Sequence, residues 1–115
     1  MTDSTPPPLA AALDRLWTQF LPQFQERITI LEKAAAALAD GTLSAGQREE
    51  AHYAAHKLAG VLGTFGLDEG TALAREAEAV YASGQEIGPG AAARLAQITA
   101  RLRSLVASRN QGDCI

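Results

Sequence analysis

The stretch Arg48-Glu-Glu-Ala-His-Tyr-Ala-Ala-His-Lys-Leu-Ala-Gly-Val-Leu-Gly-Thr-Phe-Gly66 carries its apolar residues at Ala51, Ala54, Ala55, Leu58, Val61, Leu62 and Phe65. Intervals of three and four mark one face of a helix. At about 100° per residue, these seven fall within about 60° either side of Leu58. His56 then points about 160° from the centre of the stripe, and Glu49, Gly60 and Gly63 share its side. Each glycine inside a helix costs about 1 kcal/mol against alanine. Two of them beside an exposed imidazole clear room for a large partner to approach the ring. The pattern predicts a site where another protein delivers the chemistry.

Outward from this helix the same periodicity repeats. On the N-terminal side, Leu9, Leu13, Leu16, Trp17, Phe20, Phe24, Ile28, Leu31, Ala35 and Leu38 recur at threes and fours. Pro22 falls inside that run. Proline removes a backbone hydrogen bond, so a break or kink is expected near Leu21, giving a short lead-in helix before the first bundle helix. Asp40-Gly41 closes the run, and Ser44 with Gln47 three residues later forms a capping-box pattern. Gly66 suits a left-handed cap after the His56 helix. Asp68 is the expected N-cap of a third helix, with Gly70, Leu73, Ala74, Ala77, Val80 and Tyr81 as its stripe. Ser83-Gly84 ends it. Pro89 opens a last helix, whose buried face is Ala91, Leu95, Ile98, Leu102, Leu105 and Val106.

No alternating strand pattern and no fixed repeat accompany these helices. Short loops between long helices favour antiparallel neighbours. The expected fold is all-α: an up-and-down antiparallel four-helix bundle over residues 8–109. Residues 1–7, polar and proline-rich, read as a disordered leader, and residues 110–115 as a flexible tail.

The chain's 115 residues suit one domain. Alanine supplies much of the 47% hydrophobic content, so the core must come from close helix packing rather than bulky side chains. A net charge of −3 argues against a nucleic-acid partner, which needs a basic surface. Met-Thr-Asp-Ser-Thr-Pro-Pro-Pro at the start has neither the positive region nor the apolar core of a signal peptide. The run Ala34 to Ala39 is too short to span a bilayer. One cysteine, Cys114, has no internal partner and fits a reducing compartment. The expectation is a cytoplasmic monomer that binds no membrane. Lys57, Arg75, Arg101 and Arg103 are read by default as a solvated face.

The segment Ala55-His56-Lys57-Leu58-Ala59-Gly60-Val61-Leu62-Gly63-Thr64-Phe65-Gly66 resembles the signature of histidine-containing phosphotransfer (HPt) domains, the four-helix bundles of two-component phosphorelays. That signature has the phosphorylated histidine, a leucine two residues later, a glycine four later and often Phe-Gly nine and ten later. Here these are His56, Leu58, Gly60, Phe65 and Gly66. Leu73-Ala74-Arg75-Glu76-Ala77-Glu78 looks like the family's next helix. The chain departs from the pattern at Ala59, where the family usually has a lysine close to the phosphoryl group. Lys57 is the nearest cation in sequence and the candidate substitute, although it lies about 100° round the helix from His56.

The resemblance implies that His56 accepts and donates a phosphoryl group, that Lys57 supports it, and that His52, Ala59, Gly60 and Gly63 form the docking surface. It also implies a response-regulator receiver domain as partner, bringing its aspartate and Mg²⁺, and a place for a hybrid sensor histidine kinase upstream. The residues agree. A histidine side chain, ordinarily titrating near pH 6.5, is largely neutral at pH 7 and nucleophilic through one ring nitrogen. The sequence has no glycine-rich nucleotide loop and no Walker-type lysine, so no kinase activity and no intrinsic cofactor are expected. Two other readings stand beside this one. His52 and His56, four apart, could chelate a metal with Glu49, although the pattern lacks the glutamate of HExxH and a fourth ligand. Alternatively, the bundle is an interaction module without chemistry.

Overall fold

The structure, a computed structural model, describes residues 8–111. The expected leader and Cys114 lie outside the described residues. Four α-helices make up the described chain: α1 (Pro8–Ala39), α2 (Ala45–Leu62), α3 (Asp68–Ala82) and α4 (Pro89–Gln111). A 3-10 turn, Gly63–Phe65, extends α2. No strand occurs among the described residues. The fold is the all-α bundle that the periodicity predicts.

Contacts along each pair run in opposite directions. Gly63 lies beside Thr71, and His56 beside Glu78, so α2 and α3 are antiparallel. Arg101 reaches Glu69 and Arg94 reaches Glu76, so α3 and α4 are antiparallel. Arg109 meets Asp14 and Arg103 meets Glu32, which closes α4 against α1. The core between them holds Trp17, Phe24, Ile28, Leu31, Leu58, Leu62, Leu95, Ile98, Leu102 and a set of buried alanines. The buried residues of α2 and α3 include Ala51, Ala54, Ala55, Ala74 and Ala77, small side chains that let packed helices lie close. Trp17, Phe24 and Phe65 cluster where α1 crosses the end of α2, with ring centroids 5.2–5.9 Å apart. Trp17 is thus a packing residue, and Arg109 lies over its ring.

The helix ends follow from local sequence. Ser44 Oγ accepts from the Gln47 amide at 3.0 Å while Gln47 Oε1 accepts from the Ser44 amide at 2.8 Å, completing the capping box. Two helices end in the same left-handed device. Gly41 (φ 73°) lets the Thr42 amide reach back to the Ala37 carbonyl, and Gly66 (φ 80°) lets Leu67 reach back to Leu62.

Four expectations need correction. First, α1 runs through Pro22 without interruption, so there is no separate lead-in helix. Pro22 and Thr18 both lie on the exposed side, where water can satisfy the carbonyl that proline leaves unbonded. Phe20, Leu21 and Phe24 pack on the core around the proline and hold the helix in line. Second, Leu16, placed in the buried stripe, is 39% exposed. Third, Asp68 is the first helical residue rather than the N-cap. Leu67 occupies the cap without a side-chain bond, and Asp68 and Glu69 instead place negative charge in the first turn, where the helix dipole favours it. Fourth, α4 continues through Gln111, into what was expected to be tail.

Candidate functional site

The site lies where α2 and α3 run side by side. Buried Ala55, Leu58, Ala59 and Leu62 fix how α2 is rotated about its axis. His52, His56, Gly60 and Gly63 are thereby turned to the flank beside α3 and to solvent. On α3, Gly70, Ala74, Ala77 and Tyr81 face the core. At about 100° per residue, Thr71, Arg75 and Glu78 then share the flank toward α2. Glu69 and Glu76 take the opposite flank, toward α4.

Glu78 is the residue that sequence reasoning did not assign. Its Oε2 lies 2.7 Å from His56 Nδ1 and 3.8 Å from His52 Nε2. The two imidazoles stack with centroids 6.5 Å apart. An ionised carboxylate only accepts hydrogen bonds, so a neutral imidazole bonded to one through Nδ1 carries its proton there and its lone pair on Nε2. The His56 side chain is 64% exposed, whereas that of Glu78 is 26% exposed. The ring is therefore anchored at one nitrogen and open to an incoming group at the other. Position 78 stands out by no spacing of its own. It follows only once the α2–α3 register is known.

The other expected site residues separate. At Gly60 a methyl group would meet nothing within 4 Å, so the surface beside His56 is clear there. At Gly63 a methyl would come within 3.3 Å of Thr71 Oγ1. Gly63 thus serves the approach of α3 as well as the open face, and it starts the 3-10 turn. Ala59 is 6% exposed and belongs to the core cluster, so its side chain is not offered to a docking partner. Lys57 places Nζ 5.1 Å from the centroid of the Tyr53 ring, on the side of α2 away from α3. The support expected from it at His56 is not part of this arrangement. Glu49 is exposed and bonded to neither histidine. Among the described residues, no three His, Cys, Asp or Glu side chains gather to hold a metal ion. No described helix is long and apolar enough to cross a membrane.

The Hpt domain model matches residues 15–108, most of the chain and all four helices. The chain belongs to the Hpt domain family. Histidine phosphotransfer in phosphorelays is the activity that Hpt membership carries. Protein RcaC of Microchaete diplosiphon is 38% identical over 68 residues, which are 59% of this chain and 10% of that protein. The chain therefore spans about a tenth of the length of this curated relative. No solved structure matches the chain.

Proposed function

We propose that this Hpt domain is a phosphoryl carrier in which His56 Nε2 takes a phosphoryl group from the aspartyl phosphate of a response-regulator receiver domain and returns it to another. The observation that carries this reading is the His56–Glu78 pair beside the open surface at Gly60. With the proton on Nδ1, the Nε2 lone pair attacks phosphorus in line. The acyl oxygen–phosphorus bond breaks, and its electron pair leaves with the aspartate carboxylate. The new phospho-imidazolium keeps its Nδ1 proton against Glu78, whose charge stabilises the cationic ring. Return of the group reverses these steps, and the ring leaves as a neutral imidazole. The receiver supplies Mg²⁺, which offsets charge on the loose transition state. The carrier itself needs neither nucleotide nor metal, and the site belongs in the cytoplasm, where receiver domains meet it.

Incubation with a ³²P-labelled receiver domain tests the reading. The wild type acquires acid-labile, alkali-stable label. His56→Gln acquires none, and it melts within a few degrees of the wild type, because an exposed substitution usually costs within about 0.5 kcal/mol. Label retained in His56→Gln, or moved to His52, overturns the assignment.

A further inference from the structure

A phosphoryl group brings a charge of about −1.5 to −2. On His56 it arrives beside the Glu78 carboxylate, itself a like charge. A cation is needed to offset it; Arg15, Arg27 and Lys33 belong to α1, and the cations of the other helices are mostly engaged elsewhere. Arg94, Arg101, Arg103 and Arg109 are bound to carboxylates on α3 and α1, away from this flank. Arg48 donates to the Tyr81 carbonyl and to Ser83 Oγ at the far end of α3. Lys57 lies over Tyr53. Arg75 is exposed and makes no hydrogen bond or ion pair among the described residues.

Its place follows from the register. Moving along α3 from Glu78 to Thr71 moves along α2 from His56 to Gly63. Arg75, three residues from Glu78, therefore comes level with Ala59 and Gly60. Around α3 it lies about 60° beyond Glu78 on the same flank. Gly60 carries no side chain, and the space around it is open, so a guanidinium has a clear path across. Guanidinium N–H groups match phosphoryl oxygens in a fixed fork.

We propose that Arg75, reaching from α3 across Gly60, binds the phosphoryl oxygens on His56 Nε2 and supplies the cation that α2 lacks at position 59. This rests on the carrier reading above. The guanidinium donates hydrogen bonds to the oxygens and exchanges no proton, so the bonds made and broken are unchanged.

Phosphoramidate, a small donor whose P–N bond breaks with loss of ammonia, tests the idea without a receiver. Its use separates binding of the phosphoryl group from docking. Wild type, Arg75→Ala, Arg75→Lys, Lys57→Ala and the double variant Arg75→Ala/Gly60→Lys are labelled, and phospho-His56 formation and decay are followed at low and high salt. Arg75→Ala is expected to slow labelling by about fivefold at low salt, with the gap closing at about 0.5 M salt as screening sets in. Arg75→Lys retains part of the rate, Lys57→Ala matches wild type, and Gly60→Lys restores part of the loss from the facing helix. A purely structural role for Arg75 would show neither the salt dependence nor the rescue. Wild-type rates in Arg75→Ala, with His56→Gln blank, overturn the role of Arg75 and leave the carrier reading standing. A wild type that neither phosphoramidate nor a phosphorylated receiver labels overturns both.

Discussion

Glu78 Oε2 faces two imidazoles, bonding one at 2.7 Å and standing 3.8 Å from the other. In the proposed transfer this one oxygen sets which nitrogen of His56 attacks. Removing it frees the ring to rotate and to exchange tautomers. A hydrogen bond to a charged group contributes about 1.5–3 kcal/mol, and exposure at this site reduces that figure. Glu78→Ala is therefore expected to slow receiver-to-His56 transfer about tenfold, the equivalent of roughly 1.4 kcal/mol. Glu78→Gln keeps an acceptor at the same place and should lose less. Rapid-quench transfer kinetics would separate the two, and equal rates in Glu78→Ala and wild type would show that the bond is idle. The outward placing of His56 was legible from sequence because its angle on α2 needs only the spacing of its own helix. Glu78 was not, because spacing within a helix says nothing of which residue on the next helix stands opposite. The same limit hid the true placing of Ala59. The stripe read around Leu58 stops short of Ala59, which lies at its edge and is covered in the assembled bundle.

Three glycines on neighbouring elements have different reasons to be glycine, and only geometry tells them apart. A methyl at Gly60 meets nothing, one at Gly63 would touch Thr71 Oγ1 at 3.3 Å, and one at Gly70 would lie 2.9 Å from Leu62 Cδ1. Leu62 is itself buried and held by its neighbours, so it has little room to yield. Gly60→Ala is thus expected to stabilise α2 by up to about 1 kcal/mol through helix propensity. Gly70→Ala should destabilise the bundle by about 1–3 kcal/mol through overpacking. Urea denaturation of both variants gives the comparison, and a stabilised Gly70→Ala would mean that α3 slides to make room. The position of Gly70 in the apolar stripe already marks it as a packing glycine, and the capping box at Ser44 was equally visible. The uninterrupted α1 was not, because proline's local cost is read directly from sequence whereas the aromatic packing that overrides it is tertiary.

Across the molecule, charge pairs tie α4 to its neighbours. Arg101 and Arg94 each grip a carboxylate of α3 with two hydrogen bonds, at 2.7–2.8 Å. Arg103 does the same to Glu32 of α1. Arg101 and Arg103, by default a solvated pair in sequence, are interhelix clamps. Hydrogen bonds from Arg101 and Arg94 hold the Glu69 and Glu76 carboxyls below the ordinary value of 4.5, against a smaller opposing effect of desolvation. A lowered carboxyl contributes its stability in full above the unfolded value and loses it as pH falls through the folded one. The melting temperature should hold steady down to about pH 5 and decline below about pH 4.5. Both carboxylates are about half exposed, so the decline is shallow and weakens in salt. A Glu69→Gln/Glu76→Gln variant should show a flatter acid limb, and an unchanged limb would assign acid sensitivity elsewhere.

Among the described residues, the carboxylate clamps of α4 go to α3 and α1, and none goes to α2. The outward side of α2, with Tyr53 59% exposed beside Lys57 and Gly60, is left out of that wiring. Substitutions at exposed positions there are expected to cost within about 0.5 kcal/mol. If the proposed carrier docks its receivers on this side, a lineage can rewrite that surface residue by residue, and a duplicated copy can part from its parent's partners while the scaffold underneath stays the same.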